Sequence, residues 1–320
     1  MAKAISTYAY DPKLTKKENV LLAMKSINEE FGDGTVYSLG SKEEVLELPR
    51  WSTGIEDLDN ILGGGMPSGR IIEIFGPESA GKTTLAYHLM SRCEMALDIP
   101  IEGTFDAKRA KVFGNRKGQL VVSRATFGEE ALKTGHAFTK AGGDLVVIDS
   151  VPALITKKEF EETDFEKESQ RGRIAAMLSK QLPKIAPIAE QMGTTWIFVN
   201  QLRDEMGAMM FGPKTHTPGG RALKHYCSLR IQINRVEYIK IANKDPGNSA
   251  KDKIVGIIIR CKVVKSKVCN PLGECEIPIF FDRGFVSFSE INSIRKELMQ
   301  KEREAVKNEY KGAADSTEDD

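Results

Sequence analysis

A glycine-rich loop ending in lysine and threonine is the clearest chemical signal in the sequence. Residues 76–83 read Gly-Pro-Glu-Ser-Ala-Gly-Lys-Thr and fit the G-x-x-x-x-G-K-[ST] pattern. The glycines would let backbone amides wrap around nucleotide phosphates. Lys82 would neutralise the β and γ phosphates, and the Thr83 hydroxyl would hold Mg²⁺. A chance glycine loop is the alternative, but an apolar run precedes this loop and a helical pattern follows it, as phosphate binding requires.

Two further carboxylates have the positions that hydrolysis of a nucleotide needs. Asp149 ends the apolar run LVVID, from which a carboxylate reaches a metal ion, usually through water. The attacking water also needs a base. Glu102 follows the short apolar run 99–101, and Glu78 lies inside the loop itself. We predict that Glu102 is the base.

The elements that position these residues alternate between strands and helices. Short apolar runs at 71–75, 145–148, 196–199 and 254–259 predict buried strands, and helical spacing covers 129–140 and 173–192. A strand buried on both faces is typical of a parallel sheet covered by helices. We therefore predict an α/β fold with a doubly wound, mostly parallel sheet and ligands at the carboxyl ends of its strands.

The two ends of the chain differ from this pattern. Residues 15–31 predict an amphipathic helix, since Thr15 and Glu18 have capping-box spacing. Such a helix would pack on its own core or dock on a neighbouring copy, and its sequence favours neither. Residues 289–310 predict a highly charged helix, and 312–320 an acidic, disordered end.

Composition narrows the class of protein. The 320 residues are 41% hydrophobic and 28% charged, with a net charge of +1, which fits one substantial core with small additions. The sequence has no long apolar run and no secretory signal, so a cytoplasmic protein is expected. Five cysteines and four histidines lack metal-ligand spacing, which favours reduced thiols over disulfides or zinc.

A segment rich in glycine, proline and methionine, residues 204–220, suggests contact with nucleic acid. Its glycines and prolines are too many for regular structure, so its apolar side chains at Met206, Met209, Met210 and Phe211 are expected to be exposed. Such side chains can wedge between bases without reading them, while Arg203, Lys214 and Arg221 engage phosphates. A loop buried in the core or facing lipid is the alternative.

Several motifs, in order, resemble those of the bacterial RecA recombinases. They are SGRIIEIFGPESAGKTTL, VVIDSVPAL, IFVNQLRDEMGAMMFG, PGGRALKHYCSLRI and KVVKSKV, and the resemblance covers roughly residues 18–290. It implies a RecA-like ATPase and DNA-binding core at 51–288, an N-terminal helix and strand for oligomerisation at 1–50, and a charged helix with an acidic disordered tail at 289–320.

The implied function is ATP-dependent recombination. The chain would form helical filaments on single-stranded DNA, pair it with homologous double-stranded DNA and hydrolyse ATP with Mg²⁺ when stimulated by DNA. Loading proteins and a single-strand-binding protein are further expected partners, and a membrane is not. The resemblance assigns ATP binding to Gly76, Pro77, Glu78, Ser79, Ala80, Gly81, Lys82, Thr83, Thr84, Asp106 and Asp149.

The resemblance also assigns catalytic roles away from the loop. Glu102 would activate water, Asp106 would touch adenine, and Gln201 would sense the γ phosphate and signal to the DNA loop. Lys265 and Lys267 would reach the ATP of the adjacent subunit. Two lysines spaced by two in a strand face the same side. A solvated face explains such a pair equally well on spacing alone, and the resemblance favours action on a neighbour's phosphate.

DNA contacts are implied at two loops. The first spans residues 159–173 and is acidic through Glu168, so only its end offers suitable chemistry, at Arg171, Gly172 and Arg173. The second corresponds to residues 204–220. Its implied contacts are Arg203, Met206, Gly207, Met209, Met210, Phe211, Gly219, Gly220 and Arg221.

The sequence departs from the family at two places. About 30 residues follow Ser289, fewer than the compact C-terminal domain of many members, so duplex capture would use another surface or a partner. Arg109 stands where an aromatic residue often stacks on adenine. Three other functions share the loop: a motor or repair accessory that exchanges no strands, a phosphotransferase acting on a small molecule, and an ATP-dependent scaffold.

Overall fold

The computed structural model describes residues 10–38, 48–103, 105–114, 119–162, 171–204, 215–242 and 252–315. The chain divides into two compact units, residues 1–47 and 48–320. The first contains helix α1, Lys16–Phe31, whose N-cap Thr15 forms a capping box with Glu18. The helix stops at Gly32, which has φ +106°. The helix predicted at the N-terminus is therefore confirmed.

The larger unit opens with a small two-stranded ribbon. Strand β1, Arg50–Trp51, pairs antiparallel with β2, Met66–Pro67. Helix α2, Glu56–Ile61, lies between them in sequence. Gly65 has φ +122°, and a Cβ there would lie 2.4 Å from the Trp51 carbonyl oxygen. This turn therefore needs glycine where the sequence has three in a row.

Nine strands form the central sheet. They are β3 Ile71–Gly76, β4 Met95–Pro100, β5 Gln119–Val122, β6 Leu145–Asp149, β7 Thr195–Gln201, β10 Leu229–Ile241, β11 Lys253–Ser266, β12 Glu274–Phe280 and β13 Gly284–Phe285. Their order is β13-β12-β11-β10-β3-β7-β6-β4-β5. Neighbours from β10 to β5 pair in parallel, and those from β10 to β13 pair antiparallel. The predicted strands and the mostly parallel sheet are confirmed.

Helices cover both faces of the sheet, as predicted. The described helices that follow α2 are α3 Lys82–Met90, α4 Ala107–Gly114, α5 Gly128–Lys140, α6 Lys157–Glu161, α7 Arg171–Met192, α8 Gly220–Tyr226 and α9 Ile291–Asp315. One core joins α3 and α4 to alternate residues of β3 and β7, and a second joins α5, α7 and α8 to the other residues of those strands. Alternation places successive strand residues in opposite cores.

The structure corrects two boundaries. Residues 204–220 were expected to lack regular structure, but β8, Arg203–Asp204, pairs antiparallel with β9, Thr215–His216, and Gly220 begins α8. The segment 205–214 between them lies outside the described residues. Helix α9 continues to Asp315, beyond the expected end at 310, because its alanines at 313 and 314 favour helix.

Two features that the sequence was not expected to have, disulfides and a membrane span, can be compared with the structure. All five cysteines lie within the described residues and are free thiols, three of them buried. Helices in the described part of the chain all fall short of the length and apolarity that a membrane span requires.

Candidate nucleotide and DNA site

The phosphate loop lies at the carboxyl end of β3, between the sheet and α3. Gly76 has no room for a side chain, since a Cβ would lie 2.0 Å from the Ile233 carbonyl oxygen in β10. Gly81 is the N-cap of α3, with φ +92°. Both glycines of the motif are therefore required, the first by close approach and the second by conformation.

Lys82 is folded back into this loop. It is 7% exposed, and its Nζ donates a hydrogen bond to the Pro77 carbonyl oxygen at 2.6 Å. Burial lowers the pKa of Lys82, while the charges of Asp149, Glu78 and Glu102 oppose that shift. The ammonium group therefore sits in the curve of the loop, where phosphate oxygens would replace the carbonyl as its partner.

Thr83, Asp149 and Glu102 converge beside the loop, as the sequence predicts. The Thr83 hydroxyl donates to Asp149 Oδ2 at 2.7 Å, and the Ser150 hydroxyl donates to Glu102 Oε1 at 2.5 Å. Burial raises the pKa of Asp149, and the hydrogen bond from Thr83 opposes that rise. A hydroxyl paired with a buried carboxylate is the oxygen donor set that Mg²⁺ prefers, so these residues fit the implied ion.

Sequence reasoning missed a third carboxylate, Asp98. It lies in β4, is 2% exposed, and lines a cavity of about 50 Å³ with Thr83, Tyr87, Glu102 and Asp149. Burial raises the pKa of Asp98 to about 7, with a further contribution from the charge of Asp149. A carboxylate inside an apolar strand pattern was the signal that could have revealed it.

A larger cavity, of about 340 Å³, opens on the other side of the phosphate loop. Residues 79–84 form its floor, and its wall consists of Arg235, Tyr238, Ile257, Ile279 and Phe281. The Arg235 guanidinium lies 4.3 Å from the centre of the Tyr238 ring. The wall residues come from β10 and β11 and from the end of β12, far from the motif in sequence, so spacing alone could not indicate them.

Gln201 lies beside the first glycine of the loop. It ends β7 and pairs with Gly76 in the parallel register between β3 and β7. Its backbone N–H donates to Oδ1 of the neighbouring Asn200 at 2.9 Å. A side chain at this point is adjacent both to the phosphate loop and to the chain that leads into β8.

Lys265 and Lys267 both contact the end of α8, although β11 ends at Ser266 and only Lys265 lies in the strand. Lys265 Nζ donates to the carbonyl oxygens of Lys224 (2.5 Å) and His225 (3.1 Å), and Lys267 Nζ donates to that of His225 at 3.1 Å. These carbonyls end α8, which packs in the core on the opposite face of the sheet from α3. Burial lowers the pKa of Lys265, and Lys267 adds to the effect.

Asp106 lies at the start of α4, where its Oδ1 accepts a hydrogen bond from the Lys108 backbone at 3.0 Å. It is close to Tyr87, whose ring contacts Phe105 edge to face with centroids 6.4 Å apart. The structure therefore places Asp106 near the carboxylate cluster rather than in the wall of the larger cavity. Nothing is described for the side chain of Arg109.

The candidate DNA residues are only partly described. Met206, Gly207, Met209, Met210 and Phe211 lie outside the described residues, as does Lys214. Gly219 and Gly220 have φ +95° and +73°, and a Cβ at Gly220 would lie 2.6 Å from Ala175 Cβ. Both glycines are thus needed to start α8. Arg221, one residue later, is exposed.

The first candidate loop offers less than the sequence suggested. Arg173 forms an ion pair with Glu162, at 3.1 Å and 3.3 Å, so its charge already has a partner. Gly172 has open space around its Cα. Arg171 begins α7. Residues 163–170, between Glu162 and Arg171, lie outside the described residues.

Comparison with known proteins agrees with this geometry. A sequence profile of the RecA N-terminal domain matches residues 18–286. Protein RecA of Campylobacter jejuni (strain 81-176) is 40% identical over 275 residues, which cover 84% of this chain and 77% of that protein. Protein RecA of Helicobacter pylori (strain P12) is 41% identical over 283 residues, covering 86% and 78%. The sheet order and the phosphate loop define a RecA-like ATPase core.

Among solved structures, that of the RadB recombinase superposes with a TM-score of 0.52 at 20% identity. The match covers 73% of this chain and 98% of that one, and it supports the fold alone. From the profile match and the identity to the two bacterial proteins, the chain belongs to the RecA family of recombinases. It is therefore an ATPase of the recombination and repair class.

Proposed function

We propose that this protein forms filaments on single-stranded DNA and uses ATP to pair that strand with a homologous duplex and exchange strands. The observation that carries the proposal is the position of Gln201. Gln201 pairs with Gly76 of the phosphate loop. Two residues later the chain enters β8, which leads into the second DNA loop. Nucleotide state and DNA binding then depend on the same strand end.

ATP would occupy the loop with its phosphates against the α3 N-terminus and Lys82. Thr83 and Asp149 would hold Mg²⁺, which would supply positive charge to the phosphates. Glu102 would accept the proton of the attacking water. Its hydrogen bond to Ser150 keeps the carboxylate oriented toward this cluster.

Lys265 and Lys267 would act on the ATP of an adjacent protomer. Their own loop is on the opposite face of the sheet, next to α3, whereas the lysines contact the end of α8. A pair of charges held at the end of α8, in the core opposite that of α3, is suited to an interface, where it would stabilise charge on the transferring phosphate. Hydrolysis would then require assembled protomers.

The second loop would hold DNA without reading its sequence. Methionine and phenylalanine side chains can stack against any base, and Arg203 and Arg221 would contact phosphates. Affinity should fall by about 0.7 log units per tenfold increase in salt for each phosphate contacted on a single strand. Base-blind binding leaves homology to be tested by base pairing alone.

ATP turnover with and without homopolymer single-stranded DNA, followed by joint-molecule formation with a homologous duplex, tests the proposal. We expect DNA-stimulated hydrolysis and ATP-dependent joint molecules. Stimulated hydrolysis without joint molecules would indicate a DNA motor or accessory instead. Turnover indifferent to DNA would indicate a phosphotransferase, and filaments without stimulated turnover would indicate a scaffold.

A further inference from the structure

The carboxylate of Glu73 is fully buried in the middle of the sheet. It lies in β3, three residues before the phosphate loop, and has 0% exposure. Arg230 Nε donates to Oε2 at 2.5 Å, and Asn200 Nδ2 donates to Oε1 at 2.8 Å. Both oxygens are therefore engaged by strands on either side, β10 and β7. Replacing a buried ion pair by apolar residues of similar volume is often neutral for stability, which favours a role for this pair in fixing positions.

Asn200 extends this network to Gln201 and to the segment that ends the second DNA loop. Its Nδ2 also donates to the Pro218 carbonyl oxygen at 2.9 Å, while its Oδ1 accepts from the Gln201 backbone at 2.9 Å. Pro218 lies between β9 and α8, at the end of the second DNA loop. One fully buried side chain thus contacts the residue beside the phosphate loop and the root of the DNA loop.

Arg230 provides a parallel connection. Its Nη2 donates to the Thr217 hydroxyl oxygen at 3.5 Å. Its guanidinium lies 4.6 Å from the centre of the ring of Phe75, the residue before Gly76. Thr217 is 4% exposed. In the antiparallel register Arg230 is also opposite Lys265. The arginine therefore lies between the phosphate loop, the DNA-loop root and the lysine pair.

We propose that Glu73 is a positioning residue that couples nucleotide state to DNA affinity, by holding Asn200 and Arg230 so that Gln201 and the 217–218 segment move together. The inference rests on the proposed function and specifies how its two sites communicate. Because all three side chains are packed among buried strands, a displacement at Gln201 is transmitted rather than absorbed. Glu73 itself touches neither nucleotide nor DNA.

Two variants and a matched control test this role. Glu73→Gln combined with Arg230→Met removes both charges while filling similar volume, which avoids leaving one charge unpaired. Asn200→Ser removes the amide that donates to both Glu73 and Pro218, and leaves the Glu73–Arg230 ion pair in place. Glu190→Gln, the control, breaks an ion pair with Arg70 (2.6 Å) at the other end of β3.

The measurement is the affinity for a fluorescent oligo(dT) with a non-hydrolysable ATP analogue divided by that with ADP. We expect each test variant to lose about tenfold or more of this ratio, within the usual range of coupling between sites. The nucleotide affinity of each test variant, and the unfolding temperature of the double variant, should stay near those of Glu190→Gln, which a merely structural role for the network would not allow.

Test variants that keep the wild-type ratio would overturn the role of Glu73. Asn200→Ser decides the question if the double variant does not fold. If the wild-type protein bound DNA equally well with the ATP analogue and with ADP, the proposed function itself would be overturned. The two failures are therefore distinguishable.

Discussion

Replacing Asp98 by asparagine should change how stability depends on pH. Burial raises the pKa of Asp98 from 3.8 to about 7. An acid whose pKa is higher in the folded chain binds its proton more tightly there, so it favours folding below pH 3.8 and loses that contribution as the pH rises through 7. Asparagine has nearly the same shape and no such titration.

The magnitude follows from the shift. About three pKa units correspond to ~4 kcal/mol over the whole range. Applying the linkage relation between pH 5 and pH 8 places about 2.6 kcal/mol of that loss in the accessible window. Asp149 has a raised pKa for the same reason, so the Asp98→Asn variant should retain part of the slope.

Urea unfolding of both proteins at pH 5 and pH 8, without magnesium or nucleotide, measures the effect. Titrations of groups that do not interact with Asp98 cancel when the two proteins are compared, whereas Asp149, whose charge acts on Asp98, adds a coupled contribution. We expect the wild type to lose about 2–3 kcal/mol more than the variant on going from pH 5 to pH 8. Equal losses would show that Asp98 is ionised in the folded protein and that our reasoning about its burial is wrong.

Four further predictions concern the two sites. Lys82→Ala should abolish hydrolysis, because the loop loses its buried cation; steady-state turnover with single-stranded DNA checks this, and intact stimulation would contradict it. Arg235→Ala should weaken ATP binding about 5- to 10-fold, which corresponds to about 1–1.4 kcal/mol for one hydrogen bond from an exposed side chain; calorimetric titration measures it, and unchanged affinity would remove Arg235 from the site. Arg221→Ala should weaken oligo(dT) binding and lower the salt slope by about 0.7, a change that Phe211→Ala, which also weakens binding, should not produce. Mixing Lys82→Ala with a Lys265→Ala/Lys267→Ala protein should restore turnover that each lacks alone, since one supplies the lysines and the other the loop; a mixture as inactive as its components would argue against action across an interface.

The sequence predicted the elements whose residue patterns are local. The apolar runs at 71–75 and 145–148 could only be buried strands beside a phosphate loop, and Thr15 with Glu18 marked a helix start by capping chemistry. These patterns depend on residues close together in the sequence, and the tertiary fold agrees with the local preference of each segment.

What the sequence could not predict depends on contacts between distant strands. Arg235 and Phe281 line the cavity beside the phosphate loop only because β10 and the end of β12 come close to that loop. The pairing of Arg173 with Glu162 depends on where α6 ends relative to α7, which no local pattern indicates. Glu73 resembles an ordinary polar residue in an apolar strand until Asn200 and Arg230 are placed beside it.

The most direct test of the account is the binding of a fluorescent oligo(dT) by the wild-type protein, measured by anisotropy over a range of protein concentrations with a non-hydrolysable ATP analogue and with ADP. We predict cooperative binding that is tighter with the analogue than with ADP. Binding should fall at protein concentrations too low for the protomers to assemble. Identical, non-cooperative binding in the two nucleotide states would contradict a filament whose hold on DNA is set by ATP.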